Sequence, residues 1–464
     1  MNDTPKKVII IGGGISGLST AWFLHRAGIP VCLFERETEA GGSIRTRERN
    51  GYRVEEGPNS TLQKPKRPED ALGRLLAGLG VEDRLQEAAT AGAIRYVVRD
   101  GRLQPLPASP PAFLTTSLFS WRAKLRLLAE PFIGRAADEE SIASFVRRRL
   151  GQEFLDYAIE PFISGVYAGD PRQLSVRAAV PRIHALEAEY GSLLKGALAL
   201  GQVNKGAGMP KGRLVSFDGG MQFLSRAISR ALPPGSVRTG LRITRLSRHE
   251  RGEPWRCYWE GRVERGIERG DQLVLSVPAR EAAFLLRELA PQAAAVLEGI
   301  PYAPIASVAL GYARAQVAHS LNGFGFLIPR KEGVRSLGGL FSSSLFPGRA
   351  PEGHCLLTAF IGGAMDTAFP TETTPDLAAR VVDDMAHLLG IQGAPHLLAP
   401  TRYERAIPQY TLGHLQRIAA IDRHLEALPG LWTRANWRDG IAVAECVRQA
   451  ELTAERIVAR WTSD

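Results

Sequence analysis

KVIIIGGGISGLSTAWFLHRAGIPVCLFE, residues 7–35, is the stretch on which the fold of this chain turns. Lys7 to Ile11 is rich in Val and Ile and reads as a short buried strand. It runs into Gly12-Gly13-Gly14-Ile15-Ser16-Gly17, and Leu18 to Ala27 then shows helical apolar spacing closed by Gly28. Val31 to Phe34 reads as a second strand ending in Glu35, with Arg36 beside it. Gly12 makes the tight turn, Gly14 lets backbone approach a pyrophosphate, and Gly17 lets helix and strand pack closely. The helix N-terminus offers free N–H groups and a positive dipole end to phosphates. Glu35 stands 18 residues beyond Gly17, where a carboxylate can accept both ribose hydroxyls. Strand, turn, helix, strand and acid in this order point to a dinucleotide rather than to a merely structural βαβ unit. Glutamate in place of arginine disfavours a 2′-phosphate, hence NADP.

The next stretch, Glu39-Ala40-Gly41-Gly42-Ser43-Ile44-Arg45-Thr46, resembles the second glycine pair and trailing arginine of the amine oxidase-like flavoprotein superfamily. Taken alone, Gly41-Gly42 has an ordinary turn as its lesser reading, and Glu35 beside it weakens that further. The resemblance implies FAD, with Gly42 and Ser43 near the flavin side and Arg45 neutralising the pyrophosphate. Asp271 to Val277, closing with Pro278-Ala279, looks like a returning strand of the same domain, and Val237 is expected at the cofactor as well. Near the end, Leu431-Trp432-Thr433 reads as a strand, Asp439-Gly440 as a turn, and Ile441 to about Arg460 as a helix for which Asp439 is a plausible N-cap. Ile441, Ala442 and Val443 would then face the isoalloxazine, where a helix N-terminus stabilises negative charge on the reduced ring. Ala435-Asn436 departs from the superfamily's usual Gly-Asp or Gly-Asn, which leaves Asn436's contact with the ribityl chain open. The cofactor is expected to be non-covalent, because Cys446 lies within the apparent C-terminal helix and no other cysteine is near.

Composition bounds the rest. At 464 residues, 44% hydrophobic and 23% charged, two or three domains of an ordinary globular protein are expected. Cys32, Cys257, Cys355 and Cys446 form no CxxC pair, and the nine histidines show no metal-ligand spacing, so neither a disulfide framework nor a metal is expected. The net charge is +10, yet no recognition helix, zinc finger or aromatic RNA motif accompanies it, so nucleic acid is not an expected partner. The apolar run from Val8 to Leu24 is interrupted by four glycines and lacks a cleavage site, and no other run suffices for a transmembrane helix. The protein is expected to stay on the cytoplasmic side.

Beyond the flavin frame, several segments in order resemble the oxygen-dependent protoporphyrinogen oxidase family. They are Glu55-Glu56-Gly57-Pro58-Asn59-Ser60, Arg95-Tyr96-Val97 with Gly101-Arg102-Leu103, Pro161 to Pro171 (PFISGVYAGDP), Ile407 to His414 (IPQYTLGH) and Gly440-Ile441-Ala442-Val443. The resemblance implies FAD-dependent removal of six hydrogens from a porphyrinogen in haem biosynthesis, O₂ being the acceptor and hydrogen peroxide the by-product. It places Gly57, Pro58, Asn59 and Ser60 beside the flavin ring, with Asn59 orienting the reacting carbon. It matches Arg95 to an arginine that pairs with a ring propionate, for which a planar guanidinium suits. It matches Leu327, Leu340 and Phe360 to an apolar clamp on the macrocycle. Without the family, Arg95 reads as a surface salt bridge and the three apolar residues as strand core.

Pro110 to Pro131 carries Phe113, Leu114, Leu118, Phe119 and Trp121 followed by Arg122, Lys124 and Arg126. Such a segment can lie in an anionic bilayer interface, but the sequence alone favours a buried helical subdomain with a basic edge, and only the family brings the two readings level. The family associates with membranes through this region, which implies a peripheral protein on the cytoplasmic face of the inner membrane, expected as a homodimer. The expected fold is α/β and α+β, with a discontinuous Rossmann-like FAD domain from 1–77, 211–285 and 420–464. A mostly helical membrane-associated insertion is expected at 78–210 and a mixed-sheet substrate domain at 286–419, with strands at Ala306–Gly311, Gly325–Ile328 and His354–Ile361. Coproporphyrinogen III as substrate, an amine oxidase, and a non-catalytic flavin-binding membrane scaffold remain as alternatives.

Overall fold

The computed structural model describes residues 6–65, 70–206, 212–248, 250 and 253–462. The expected boundary at 210/211 lies outside these residues. Five parallel strands form the first sheet, in the order Val237–Arg238, Val31–Phe34, Val8–Ile11, Gln272–Leu275, Leu431–Thr433. Val8–Ile11, Val31–Phe34 and Gln272–Leu275 are buried throughout, as strands covered on both faces must be. One face packs Ile10, Leu33 and Val274 against the helix Ile15–Arg26 and the C-terminal helix Val443–Trp461. The other packs Ile9, Ile11 and Leu273 against the helices Ala279–Leu286 and Pro291–Glu298. That second face is completed by Trp255 and Cys257 of an antiparallel meander, Arg242–Ser247, Trp255–Glu260 and Arg265–Gly270, that sequence reading had not found.

The second sheet has seven strands, in the order Leu397–Pro408, Tyr302–Ala313, His354–Gly362, Ser336–Leu340, Gly325–Leu327, Arg95–Arg99, Arg102–Pro105. All pairings are antiparallel except that of Gly325–Leu327 with Arg95–Arg99. The three expected strands are present with shifted ends, the first extending over Tyr302–Ala313. Residues 95–105 add a strand pair to the stretch expected to be mostly helical. They form a hairpin turning at Asp100 and Gly101, both at positive φ, and its first strand docks on Gly325–Leu327. The Asp100-Gly101 pair, with Tyr96, Val97 and Val98 before it and Leu103 after it, is a hairpin signal of the sequence. One face of this sheet is closed by the helix Thr374–Leu389, with Phe326, Val308, Leu310 and Met385 in a common core.

Against the other face lies a helical layer that includes Ile142–Arg149, Glu160–Tyr167 and Pro181–Tyr190. Four helices of this part of the chain are capped by Ser109, Ser120, Ser141 and Ser175, each side chain accepting a backbone N–H of the first turn. The fully buried Arg149 pins the layer, donating to Glu187 at 2.6 Å and to Glu130 at 3.1 Å. Glu130 accepts in addition from the Leu193 N–H at 2.8 Å. Paired and hydrogen-bonded, these charges are tolerated where an isolated one would not be.

The segment expected at a membrane interface folds as two short helices, Pro110–Thr115 and Trp121–Leu128. Its residues sort differently from expectation. Leu118 and Phe119 are buried, and Phe113 and Phe119 each stack on Phe154. The Lys124 ammonium turns inward, donating to the carbonyls of Leu114 and Thr116 at 2.8 and 2.7 Å, because the preceding short helix leaves those acceptors open. Arg126 likewise donates to the Arg148 carbonyl at 2.6 Å. Leu114, Trp121, Leu125, Leu128 and Phe132 are instead the exposed apolar residues of this region. No helix among the described residues is long and apolar enough to cross a membrane.

Candidate active site

The glycine turn after the first strand is shaped by what surrounds it. A Cβ on Gly12 would lie 2.3 Å from the Ser276 carbonyl oxygen, and one on Gly17 2.0 Å from that of Gly12. These two positions therefore exclude any side chain so that helix and strands can meet. A Cβ on Gly14 would meet nothing within 4 Å. Gly14 faces open space in front of the helix Ile15–Arg26, whose N-cap makes no side-chain hydrogen bond. Backbone that approaches a ligand this way is what a pyrophosphate needs. Glu35 is buried at the end of the second strand, accepting from the Gly13 N–H at 2.7 Å and the Glu37 N–H at 2.8 Å. Val237 lies beside it on the edge strand, opposite Leu33. Arg36 points outward to the carboxylate of Glu281, 3.4 Å away.

Gly41 and Gly42 return the chain to this turn. Gly41 donates to the Gly13 carbonyl at 2.8 Å, and a Cβ on Gly42 would stand 3.1 Å from the Gly14 Cα. Arg45 donates to the Gly42 carbonyl at 3.2 Å and lies 3.8 Å from the Glu37 carboxylate. Gly57 is packed so tightly on Ser43 that a Cβ would come within 1.9 Å of the Ser43 carbonyl oxygen. Pro58, Asn59 and Ser60 follow, half-buried, with the Asn59 amide donating to the Gly57 carbonyl at 3.3 Å. Thr61 then accepts from the Ala444 N–H at 3.2 Å, joining this loop to the first turn of the C-terminal helix. The helix begins at Val443, with Ala442 as an N-cap lacking any side-chain cap. Asp439 is not the cap. Gly440, at φ +111°, turns the chain between them, and the Asp439 carboxylate is paired with the buried Arg434.

The residues matched to a substrate site come together on one face of the seven-stranded sheet. Across the strands Arg95 lies opposite Gly325 and Gly325 opposite Leu340, while Val97, Leu327, Gly338 and Phe360 align in the next parallel row. Side chains two residues apart share a face. Arg95, Leu327, Leu340 and Phe360 therefore project together, away from the Thr374–Leu389 side. Leu327 and Ile441 both pack on the helical layer, and Leu327 reaches Gly165, where a Cβ would collide with it at 2.6 Å. Ser307, opposite Phe360, donates to the Glu56 carbonyl at 3.4 Å, which brings this face to the Gly57–Ser60 loop. Arg95 is exposed, its guanidinium 5.2 Å from the Phe324 ring centre, and among the described residues it forms no ion pair.

Two buried contributions escaped sequence reading because their partners are remote in the chain. Glu55 is paired with Arg349, 294 residues later, and accepts from Thr46 at 2.7 Å and the Met221 N–H at 2.9 Å. Tyr410 and His414, quoted in a motif without a role, stack on each other beneath the turn that precedes the C-terminal helix.

An open glycine cradle at a helix N-terminus, a buried acid at the second strand and an uncapped C-terminal helix define a nucleotide-cofactor oxidoreductase, and the residues present fit FAD. The chain matches the family described as flavin containing amine oxidoreductase over residues 15–458, and it belongs to that family. Protoporphyrinogen oxidase 2 of Arabidopsis thaliana is 31% identical over 98% of this chain and 94% of its own length. Chloroplastic protoporphyrinogen oxidase 1 of Spinacia oleracea is 34% identical over 97% and 84%. Coproporphyrinogen III oxidase of Bacillus subtilis is 29% identical over 97% of both chains. The solved structure of a protein from Exiguobacterium sp. 255-15 covers 98% of this chain and 99% of its own, with a TM-score of 0.82 at 24% identity, and shares the fold.

Proposed function

We propose that the protein oxidises protoporphyrinogen IX to protoporphyrin IX, removing six hydrogens with three O₂ as acceptor and giving three hydrogen peroxide. Bound FAD would accept each hydride and pass the electrons to O₂. The observation that carries this reading is the shared sheet face. Arg95 supplies an unpaired planar cation at one end, and Leu327, Leu340 and Phe360 supply apolar surface beyond it. That pattern suits a flat apolar macrocycle with a carboxylate on its rim. Leu327, Leu340 and Phe360 hold the macrocycle, Arg95 fixes its orientation, and Asn59, next to the flavin loop, orients the reacting carbon.

Coproporphyrinogen III is the second reading, favoured by the Bacillus subtilis relative bearing that name. Side-by-side turnover of the two porphyrinogens, followed by porphyrin fluorescence, tests both. Faster turnover of protoporphyrinogen supports the first, faster turnover of coproporphyrinogen the second, and turnover of neither rejects the site.

Peripheral binding to the cytoplasmic face of the inner membrane is part of the proposal. Leu114, Trp121, Leu125, Leu128 and Phe132 support it, being exposed on one short stretch with Arg122 among them. An apolar substrate that partitions into lipid gives such contact a use. A homodimer is proposed as the working assembly.

A further inference from the structure

The nine residues Arg434 to Ala442 connect the last strand of the parallel sheet to the C-terminal helix, and the part from Asn436 to Gly440 is held from below by a pair of stacked rings. Tyr410 is buried; its hydroxyl donates to the Asn436 carbonyl and accepts from the Gly440 N–H at 2.7 Å. His414, equally buried, stacks on Tyr410 with ring centres 4.3 Å apart and planes 15° from parallel. Its Nε2 lies 3.4 Å from the Arg438 carbonyl. Three alternate residues of the connection are thus fixed by two side chains. Burial pushes the Tyr410 phenol well above its usual value, so the hydroxyl proton stays available to Asn436.

The rings are themselves seated on the other signature segment. The Ser175 N–H donates to the Tyr410 carbonyl at 2.8 Å, Gln409 donates to the Tyr167 carbonyl at 2.8 Å, and the Leu412 N–H donates to the Gln173 carbonyl at 2.9 Å. The Tyr167 ring meets Tyr410 edge-on at 6.1 Å. Segments 161–171 and 407–414 therefore meet at Tyr410. From there they reach the turn that aims an uncapped helix N-terminus.

We propose that Tyr410, backed by His414, is a positioning residue for the flavin: it sets where the first turn of the Val443–Trp461 helix points and so tunes how readily the bound flavin is reduced. A helix N-terminus favours negative charge only within its first turn, so a small displacement alters that stabilisation. The inference rests on the flavin assignment and not on the identity of the porphyrinogen, and it is tested without substrate.

Tyr410→Phe keeps the ring and strands the Asn436 carbonyl and the Gly440 N–H. The control is Tyr167→Phe, which removes an equally buried hydroxyl bonded to the Ala179 carbonyl at 2.6 Å, away from the turn. FAD affinity is measured by fluorescence titration of the apoprotein, and the reduced-to-oxidised flavin ratio by equilibration with a reference dye. Tyr410→Phe is expected to weaken FAD binding and to lower the reduced fraction at fixed dye potential, each by about tenfold. Tyr167→Phe is expected to lower the melting temperature and leave both readouts in place. An unchanged ratio in Tyr410→Phe, or an equal change in Tyr167→Phe, overturns the proposal. Should Tyr410→Phe not fold, His414→Phe decides, because it keeps the stack and removes only the bond to Arg438; an unchanged ratio there rejects the proposal. Wild-type protein that takes up no flavin at all rejects the flavin placement together with it.

Discussion

The space in front of Gly14 and the guanidinium of Arg95 are both left open by the fold, and that makes their substitution informative. Gly14→Val adds a side chain where nothing stands within 4 Å, so the fold should survive while the pyrophosphate is displaced. The expected outcome is a colourless protein with a far-ultraviolet dichroism spectrum like the parent's; normal FAD occupancy would remove Gly14 from the cofactor site. Arg95→Ala removes a charge-assisted bond of about 1.5–3 kcal/mol. KM should rise about tenfold to a hundredfold with FAD content unchanged, and Arg95→Lys should recover part of the loss. With a porphyrinogen esterified at its propionates, wild type and Arg95→Ala should perform alike. A mutation that costs as much with the ester as with the free acid makes Arg95 structural. At this scale the glycine turn was legible because Gly12 and Gly17 answer to neighbouring backbone and Gly14 to open space. Tyr410 was not, since its partners Asn436 and Gly440 lie in a different element and only folding brings them within reach.

Among elements, the two short helices Pro110–Thr115 and Trp121–Leu128 give the clearest contrast between pattern and packing. The composition of Pro110–Pro131 suits an interface, but which residues face outward depends on Phe154 and on the carbonyls of Leu114 and Thr116, neither of which a helical wheel includes. The variant to make is therefore Trp121, Leu125 and Leu128 to serine rather than Phe113 or Leu118. Wild type should sediment with anionic vesicles, the triple variant should remain in the supernatant, and both should hold FAD. If wild type itself stays in the supernatant, the exposed patch is not a membrane face. Strands with unbroken apolar runs, such as Val8–Ile11 and Val31–Phe34, were readable because burial on both faces leaves them no polar positions. The meander at 242–270 was obscured by its arginines. Arg245, Arg256, Arg265 and Arg269 alternate with Leu246, Trp255 and Cys257 across a sheet that buries only one side.

The molecule as a whole should record His414 in its dependence on pH. Burial pushes this imidazole from 6.5 down to about 4, with the Arg417 guanidinium acting in the same direction and the Arg438 carbonyl opposing. The unfolded chain then binds a proton between those values that the folded protein refuses, so stability is full above the unfolded pKa and declines as pH falls from about 6.5 towards 4. The loss from this one residue reaches about 1.4 kcal/mol per pH unit. Urea unfolding at pH 7.5 and pH 5 should give a smaller difference for His414→Phe than for wild type. Equal differences would show that His414 carries no part of the acid sensitivity.

The parallel sheet also has a history in time. Its strands at 8–11 and 31–34 are synthesised almost together, but Gln272–Leu275, which must pair with Val8–Ile11, comes far later, and Leu431–Thr433 later still. At about 5–20 residues per second, the ribosome leaves roughly 20–80 s between the first strand and the last. For most of that interval the flank of Val8–Ile11 has nothing to bond to, and an unpaired buried-type strand is a template for other chains. The cofactor cannot shield it early, because the clasp from Thr61 to Ala444 needs the C-terminal helix. Soluble yield in a cell should therefore follow translation rate and chaperone supply more closely than flavin supply.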